Sequence, residues 1–248
     1  MIGLDGWHAR FEQQAAWTAS VRRYLLELVD ARQALRILEA GCGTGALTLD
    51  LHAHSPAQVY GIDIDLARLL YAQHSDPASR FACADGLRLP FTAASFDLSV
   101  CHYYLLWVAD PLAALAEIAR VTRPGGWVLA LAEPDYGGRL EYPAELAELG
   151  ILQTQSLLDQ GADPEIGRRL PSIFLQAGLK EVRSGVLGGE WQHPAAHADS
   201  TEWDVLENDL RDILTPAQLL RYREIEIRAR QTGQRLQFIP TFYAFGRV

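Results

Sequence analysis

Residues 37–45 read ILEAGCGTG, and this stretch decides the fold. A short apolar run ends on three glycines at alternate positions, and a helix-forming segment follows directly. Glycines at such a turn let the backbone approach a ligand closely where a side chain would block it. The helix that follows presents unpaired N–H groups to polar or anionic atoms. The pattern therefore predicts a buried strand, a ligand-binding turn and a helix.

Strand-like and helix-like segments alternate on both sides of this turn. The predicted strands cover residues 35–40, 58–62, 80–83, 95–101 and 127–133. The predicted helices cover residues 9–31, 44–54, 65–74 and 111–121. This alternation is typical of right-handed βαβ units. We therefore expect an α/β fold with a Rossmann-like, doubly wound, mostly parallel seven-stranded sheet and a helical cover.

The regular alternation of predicted strands and helices ends after residue 135. Helices are predicted at 142–160, 166–177 and 200–231, with Thr215-Pro216 as a helix start, and strands at 179–187 and 236–248. Pro240 must sit where its missing N–H is not needed. We expect the two late strands to complete the sheet. Residues 1–248 then form one domain, with a helical cap at 1–34, a cofactor-binding core at 35–133 and lid helices with the last strands at 134–248.

The charge and composition of the chain indicate which classes of binding partner to expect. A formal net charge of -9 repels phosphate backbones and anionic membranes, so neither nucleic acid nor a membrane is an expected partner. Arg22-Arg23 and Arg168-Arg169 are too sparse for a basic strip and are interpreted as solvated surface. Three cysteines give no disulfide framework and fit the cytoplasm. Cys83 and Cys101 end predicted strands, and we expect both to be small buried hydrophobes.

Three carboxylates stand at the predicted strand ends around the glycine turn. Glu39 precedes Gly41 by two residues, Asp63 ends the second strand and Asp85 follows the third. An acid at the end of the second strand is placed to accept hydrogen bonds from ribose hydroxyls. Gly41, Gly43 and Ala46 alone also fit a relaxed dinucleotide fingerprint, so a nicotinamide cofactor is an alternative at this point.

Four segments taken together resemble the small-molecule branch of the class I S-adenosylmethionine-dependent methyltransferases. They are LEAGCGTG, GIDID, CADGLRLPFTAASFDLSVCHYYLLWV and ARVTRPGGWVLA, in the order and spacing of that family from about residue 36 to 133. The resemblance implies S-adenosylmethionine as cofactor and S-adenosylhomocysteine as product. It implies that the cofactor contacts Glu39, Gly41, Cys42, Gly43, Asp63, Ile64, Asp85, Gly86, Leu87 and His102.

The resemblance predicts transfer of a methyl group to a small-molecule acceptor by in-line displacement. Because the cofactor carries the reactive group, the protein needs to supply only alignment, water exclusion and in some cases a base. Two alternatives remain. One is a non-catalytic protein that binds S-adenosylmethionine or S-adenosylhomocysteine on the same fold. The other is an NAD-dependent oxidoreductase.

The acceptor side of the site is predicted from position. His102 follows a central strand and is the candidate catalytic base, although its ring could instead pack beneath the lid. Tyr103, Tyr104 and Tyr136 are candidate acceptor contacts, with core or turn packing as the alternative. In the first helix, Trp17 is a candidate substrate contact or a core residue. Arg22 is either a partner for the cofactor carboxylate or a surface charge.

Metal binding is not expected. His193 and His197 lie four residues apart with Glu190 nearby, a spacing that can form half a site on a helix. A third ligand at a clear spacing is missing, and Pro194 indicates a helix start or a loop.

Overall fold

A seven-stranded sheet forms the centre of the molecule in a computed structural model that describes residues 2–188 and 200–248. Its strands are β1 (Arg36–Ala40), β2 (Gln58–Asp63), β3 (Arg80–Cys83), β4 (Phe96–Cys101), β5 (Thr122–Pro134), β7 (Lys180–Leu187) and β9 (Thr241–Arg247). The order across the sheet is β3-β2-β1-β4-β5-β9-β7. Strand β9 runs antiparallel to β5 and β7, and the other neighbours are parallel. The predicted Rossmann-like, mostly parallel seven-stranded sheet is confirmed.

Eight α-helices are described around the sheet, and several begin where the sequence supplies a cap. They are α1 (Leu4–Leu28), α2 (Ala46–His54), α3 (Leu66–Ser75), α4 (Pro111–Val121), α5 (Ala147–Asp159), α6 (Ile166–Gln176), α7 (Ser200–Leu210) and α8 (Pro216–Gln231). Asp65 and Asp110 accept backbone N–H groups at the starts of α3 and α4. Thr215 and Gln218 form a capping box at α8, as Thr215-Pro216 predicts.

Two apolar layers hold the helices on opposite faces of the sheet. Alternate residues of β1 enter different layers, because successive side chains of a strand point to opposite faces. Ile37 packs with the residues of α1 and α2, and Leu38 packs with those of α4 and α6. A third cluster, which includes Leu149 and Trp203, joins α5, α7 and α8 away from the sheet. This third cluster builds the cover over the carboxyl edge of the sheet.

The last part of the chain differs from the prediction. Residues 236–248 were expected to form one strand, but the segment divides at Pro240. Its first part, β8 (Leu236–Phe238), pairs with β6 (Leu140–Tyr142) in a separate two-stranded sheet, and only β9 joins the main sheet. The predicted helix at 142–160 begins later, at Ala147, because Tyr142 is used in β6.

Two burial predictions are wrong. Arg22 is not a solvated charge, since only 2% of its surface is exposed and Asp50 of α2 pairs with it at 2.8 Å. Cys83 is not a buried hydrophobe, because β3 is the edge strand of the sheet and leaves the thiol exposed. Cys101, in the central strand β4, is buried as predicted.

No helix among residues 2–188 and 200–248 combines the length and apolar character that crossing a bilayer requires.

Candidate active site

The glycine turn after β1 is tied to the end of β2. Gly41 and Gly43 have φ values of 72° and 53°, a region in which a side chain is strained. The N–H groups of Gly41 and Cys42 both donate to the Ile62 carbonyl, at 2.8 and 2.9 Å. The Asp63 carboxylate accepts the Gly43 N–H at 2.8 Å. The turn and the acid predicted to bind ribose are therefore one hydrogen-bonded unit.

Residues from β2 and β3 form the side of the cleft beside this turn. Ile64 is 74% exposed directly after Asp63. Asp85 is exposed, and its carboxylate accepts the Leu87 N–H at 2.9 Å. The structure thus brings the predicted cofactor residues of three separate loops to one edge of the sheet. Their contacts with a cofactor stay a prediction.

The side chain of Tyr104 lies in a flat slot between Gly41 and Gly86. A Cβ placed on either glycine would overlap the tyrosine, so both positions need the absence of a side chain. Asp63 and Asp85 lie close enough for their charges to raise the pKa of Tyr104, after the larger effect of burial. The Tyr104 hydroxyl is buried without a hydrogen-bond partner among the described residues. The slot therefore accepts an aromatic ring, but it leaves this ring's polar atom unsatisfied.

Helix α1 lies across the top of the cleft. The Phe11 ring comes within 3.1 Å of the position that a Cβ on Gly43 would take. Farther along the helix, the Thr18 hydroxyl and the Nε2 atom of His102 are 2.9 Å apart. Burial and then the neighbouring Arg22 guanidinium lower the pKa of His102 to about 3. The ring of His102 thus lies beneath α1 and is neutral near pH 7.

Glu39 points away from the slot, into the space between β1 and α2. Its carboxyl group is buried and accepts the Thr48 hydroxyl at 2.5 Å. Burial raises its pKa to about 8. Arg22 is also engaged within the protein, since it donates to Asp50 and to the Ala15 carbonyl. Cofactor contacts by these two residues stay predictions.

Comparisons of the sequence identify the same core. The family model described as "Methyltransferase domain" matches residues 38–130. An uncharacterized methyltransferase of Schizosaccharomyces pombe is 31% identical over 190 residues, covering 71% of this chain and 66% of that protein. A demethylmenaquinone methyltransferase of Corynebacterium urealyticum is 39% identical over 123 residues, half of each chain. The chain spans about half to two thirds of the length of the curated relatives it matches.

The chain belongs to the class I S-adenosylmethionine-dependent methyltransferase family. These matches favour the methyltransferase interpretation over the nicotinamide alternative. Solved structures agree on the fold. The geranyl diphosphate C-methyltransferase of Streptomyces coelicolor covers 93% of this chain and 79% of its own at 14% identity, with a TM-score of 0.58. The [4+2]-cyclase SpnF covers 91% of this chain and 80% of its own at 17% identity, with a TM-score of 0.56.

Glu133, at the end of β5, fixes the segment after β4. It is fully buried, and its carboxylate accepts the N–H groups of Tyr104 and Leu105 at 2.9 Å and of Leu106 at 3.2 Å. The preceding Tyr103 has a φ of 49°, an uncommon value for a residue with a side chain. The sequence signal for this role is the lone acid that ends the apolar run WVLALA.

A polar chamber lies under the cover, between α1, the segment after β5, and helices α5, α7 and α8. Its charged lining residues are Arg10, Arg139, Arg235, Glu141, Glu202 and Glu226. Its larger uncharged lining residues include Tyr136, Leu146, Leu149, Trp203, Leu206 and Ile239. Four separate segments of the chain contribute to this lining. Only Tyr136 among these residues was predicted to be a site residue from the sequence.

The predicted acceptor residues lie in different places. Tyr136 lines the polar chamber, and Tyr103 packs near it, where Tyr136 and Arg10 affect its pKa after the larger effect of burial. Trp17 does not line the chamber. It is 49% exposed with the Arg10 guanidinium 4.7 Å above its ring, so core packing of Trp17 is wrong. Tyr104 occupies the slot at Gly41 and Gly86 instead.

Histidine, cysteine and acidic side chains do not gather in groups of three or more suited to a metal within residues 2–188 and 200–248. His193, His197 and Glu190 lie outside the described residues.

The buried acids predict a pH dependence of stability. The folded protein holds the proton on Glu39 more tightly than the unfolded chain does, because burial raises its pKa from 4.5 to about 8. This contribution favours folding fully below pH 4.5 and is lost as the pH rises to about 8. We expect the free energy of unfolding to fall by on the order of 2 kcal/mol between mildly acidic and mildly alkaline pH.

Urea unfolding at a series of pH values measures this slope. Glu39→Gln should flatten it, whereas Glu117→Gln should not, since the arginine beside Glu117 lowers the pKa of that acid. Glu133, whose pKa burial raises to about 7, supplies a smaller slope of the same sign in both variants. Equal slopes in the wild type and Glu39→Gln would contradict the assignment.

Proposed function

We propose that this chain transfers the methyl group of S-adenosylmethionine to a small-molecule acceptor held in the polar chamber. The observation that carries the proposal is the slot between Gly41 and Gly86, with Asp63 and Asp85 beside it. When bound there, S-adenosylmethionine supplies a methyl group activated by a sulfonium. Transfer needs no nucleophile from the protein, which contributes alignment and the exclusion of water.

Each wall of the slot has a role in this proposal. The backbone of Gly41 and Gly43 lets the methionine part approach closely, and Asp63 accepts from the ribose hydroxyls with the lone pairs that Gly43 and Asp65 leave free. The exposed face of Ile64 and the loop at Asp85 to Leu87 hold the adenine. Cys42 contributes through its backbone, since its side chain is buried.

Tyr104 leaves the slot when the cofactor binds. The same space cannot hold the tyrosine ring and an adenosyl group together. A buried hydroxyl without a partner costs about 1–3 kcal/mol, so the occupied arrangement carries a penalty that departure of Tyr104 relieves. Binding would therefore exchange the tyrosine ring for an adenosyl group whose ribose and adenine find hydrogen-bond partners at Asp63 and Asp85.

His102 positions α1 in this proposal and does not abstract a proton. A general base is most effective when its pKa is near the working pH, and the pKa of His102 is about 3. Its Nε2 atom already has Thr18 as a partner. The ring links β4 to the helix that covers the cleft, while its backbone stands at the edge where the methyl group is transferred.

We also propose that residues 1–248 act as one domain, with 1–34 as the cap, 35–133 as the cofactor-binding core and 134–248 as the lid. The acceptor is a free small molecule rather than nucleic acid or a membrane lipid, given the net charge of -9. The cytoplasm is the proposed location.

Asp63→Asn tests the proposal. Asparagine replaces one carboxylate oxygen with an N–H donor, so either the Gly43 N–H or the Asp65 N–H loses its acceptor, and the ribose loses acceptor lone pairs. We expect calorimetry to show S-adenosylhomocysteine binding about 10- to 100-fold weaker than in the wild type. Asp65→Asn is the matched control, because Asn caps a helix as well as Asp does and the Asp65 side chain otherwise pairs only with the surface residue Arg68. A wild type that binds neither S-adenosylmethionine nor S-adenosylhomocysteine would refute the proposed function.

A further inference from the structure

Among the residues that the structure describes, Arg10 is a buried charge without a carboxylate partner. It is 9% exposed and lines the polar chamber. Its guanidinium donates a hydrogen bond of 2.7 Å to the Gln13 amide oxygen and lies over the face of the Trp17 ring. In the part of the chain that the structure describes, no carboxylate oxygen lies within 4.0 Å of its guanidinium nitrogens. A buried guanidinium is costly unless an anion and further hydrogen bonds compensate it.

The other two arginines of the chamber are compensated within the protein. Arg139 and Arg235 both pair with Glu141. Glu226 pairs with Arg230 at 2.7 Å and lies 3.6 Å from Arg235. These ion pairs neutralise the floor of the chamber and leave Arg10 on the wall formed by α1.

Asp209, an acid on which the charge of Arg10 acts, does not serve as an ion-pair partner of Arg10. The Asp209 carboxylate accepts from Gln153 at 3.1 Å, and the Arg10 charge acts on it from beyond ion-pair distance. Glu202 also lines the chamber and makes contacts of its own. An anionic group entering the chamber would therefore meet Arg10 as its cationic partner.

Arg10 also lies beside the cofactor side of the site. Its neighbour Phe11 covers Gly43 of the glycine turn. The charge of Arg10 acts on Tyr103 and Tyr136, at the ends of β4 and β5. One turn of α1 thus faces the cofactor slot with one residue and the polar chamber with the next.

We infer that the acceptor is a small organic acid whose carboxylate pairs with Arg10 in the polar chamber. The inference rests on the proposed function, since it concerns the acceptor of that methyl transfer. A carboxylate suits the planar guanidinium, which can donate two parallel hydrogen bonds to it. The apolar wall at Leu149 and Trp203 then packs against the body of the acid, and the enclosed charges disfavour a long hydrocarbon chain.

Calorimetry on the full chain saturated with S-adenosylhomocysteine tests this inference. The probes are small hydroxycarboxylic acids, each paired with its neutral primary amide, such as glycolate with glycolamide and lactate with lactamide. We expect at least one acid to bind about tenfold or more tightly than its amide. Arg10→Gln should remove this preference and leave the affinity for S-adenosylhomocysteine within about twofold, because Arg10 faces the chamber rather than the slot.

Two further variants separate the effect of the Arg10 charge on binding from an effect on folding. Arg10→Lys keeps the charge and should retain part of the preference for acids. Arg23→Gln removes an exposed arginine from the same helix and should behave as the wild type. If no acid binds more tightly than its amide, or if Arg10→Gln keeps the preference, the inference is wrong. Failure to bind S-adenosylhomocysteine refutes the proposed function instead, and the acid–amide comparison on the protein alone still decides the role of Arg10.

Discussion

Gly41→Ala should make S-adenosylhomocysteine binding about 100-fold weaker or abolish it. Residue 41 has a φ of 72°, and its new Cβ would overlap the Tyr104 side chain in the slot. The alanine side chain would occupy the path along which the cofactor approaches the backbone. The strained φ alone should lower the free energy of unfolding by about 1–2 kcal/mol.

Gly125→Ala is the control that separates strain from occlusion. Its φ of 79° is nearly the same, but no atom lies within 4 Å of the Cβ position. Urea unfolding should show the cost of the strained φ in both variants and a larger loss for Gly41→Ala, whose Cβ also meets Tyr104, and calorimetry should show lost binding only for Gly41→Ala. Similar losses of affinity in both variants would place the cofactor elsewhere.

Substitutions of Tyr104 should change cofactor affinity in opposite directions. Tyr104→Phe removes a hydroxyl that has no partner among the described residues, which stabilises the arrangement with the ring in the slot by about 1–2 kcal/mol. Because the cofactor binds only after the ring leaves, its affinity should fall about 5- to 30-fold. Tyr104→Ala removes the competing ring, so the affinity should rise even though the protein loses about 3 kcal/mol of stability.

Measuring both urea unfolding and cofactor binding for each variant checks these opposite changes in affinity. Stability and affinity should be anticorrelated across wild type, Tyr104→Phe and Tyr104→Ala, which is the reverse of what a direct cofactor contact gives. If both variants bind S-adenosylhomocysteine more weakly, Tyr104 contacts the cofactor rather than competing with it.

The cofactor half of the site was predictable because its signals are local. A strand, a turn and a helix lie within residues 36–54, and Asp63 and Asp85 end the strands that pair next to it. Parallel strands place their carboxyl ends at one edge, so residues distant in the chain converge there without further information. The fold was predictable from the regular alternation of strands and helices along the sequence.

The polar chamber was not predictable by the same route. Arg10, Gln153 and Arg235 come from distant segments, and no spacing rule connects them. Their proximity depends on how α5, α7 and α8 pack over the sheet. The burial of Arg22 was not predictable for a related reason, since only the packing of α1 on α2 brings Asp50 to it. Pro240 divided the last predicted strand because β8 found a partner in β6, almost one hundred residues earlier.

Strand β9 ends the sequence but occupies an interior position of the sheet, between β5 and β7. During synthesis, β5 therefore leaves the ribosome with one edge unpaired and stays so until residue 247 has emerged. An open apolar edge is a template for pairing with other chains. More than one hundred residues are thus translated while this edge of the sheet stays open, and β5 is the segment that a chaperone would protect.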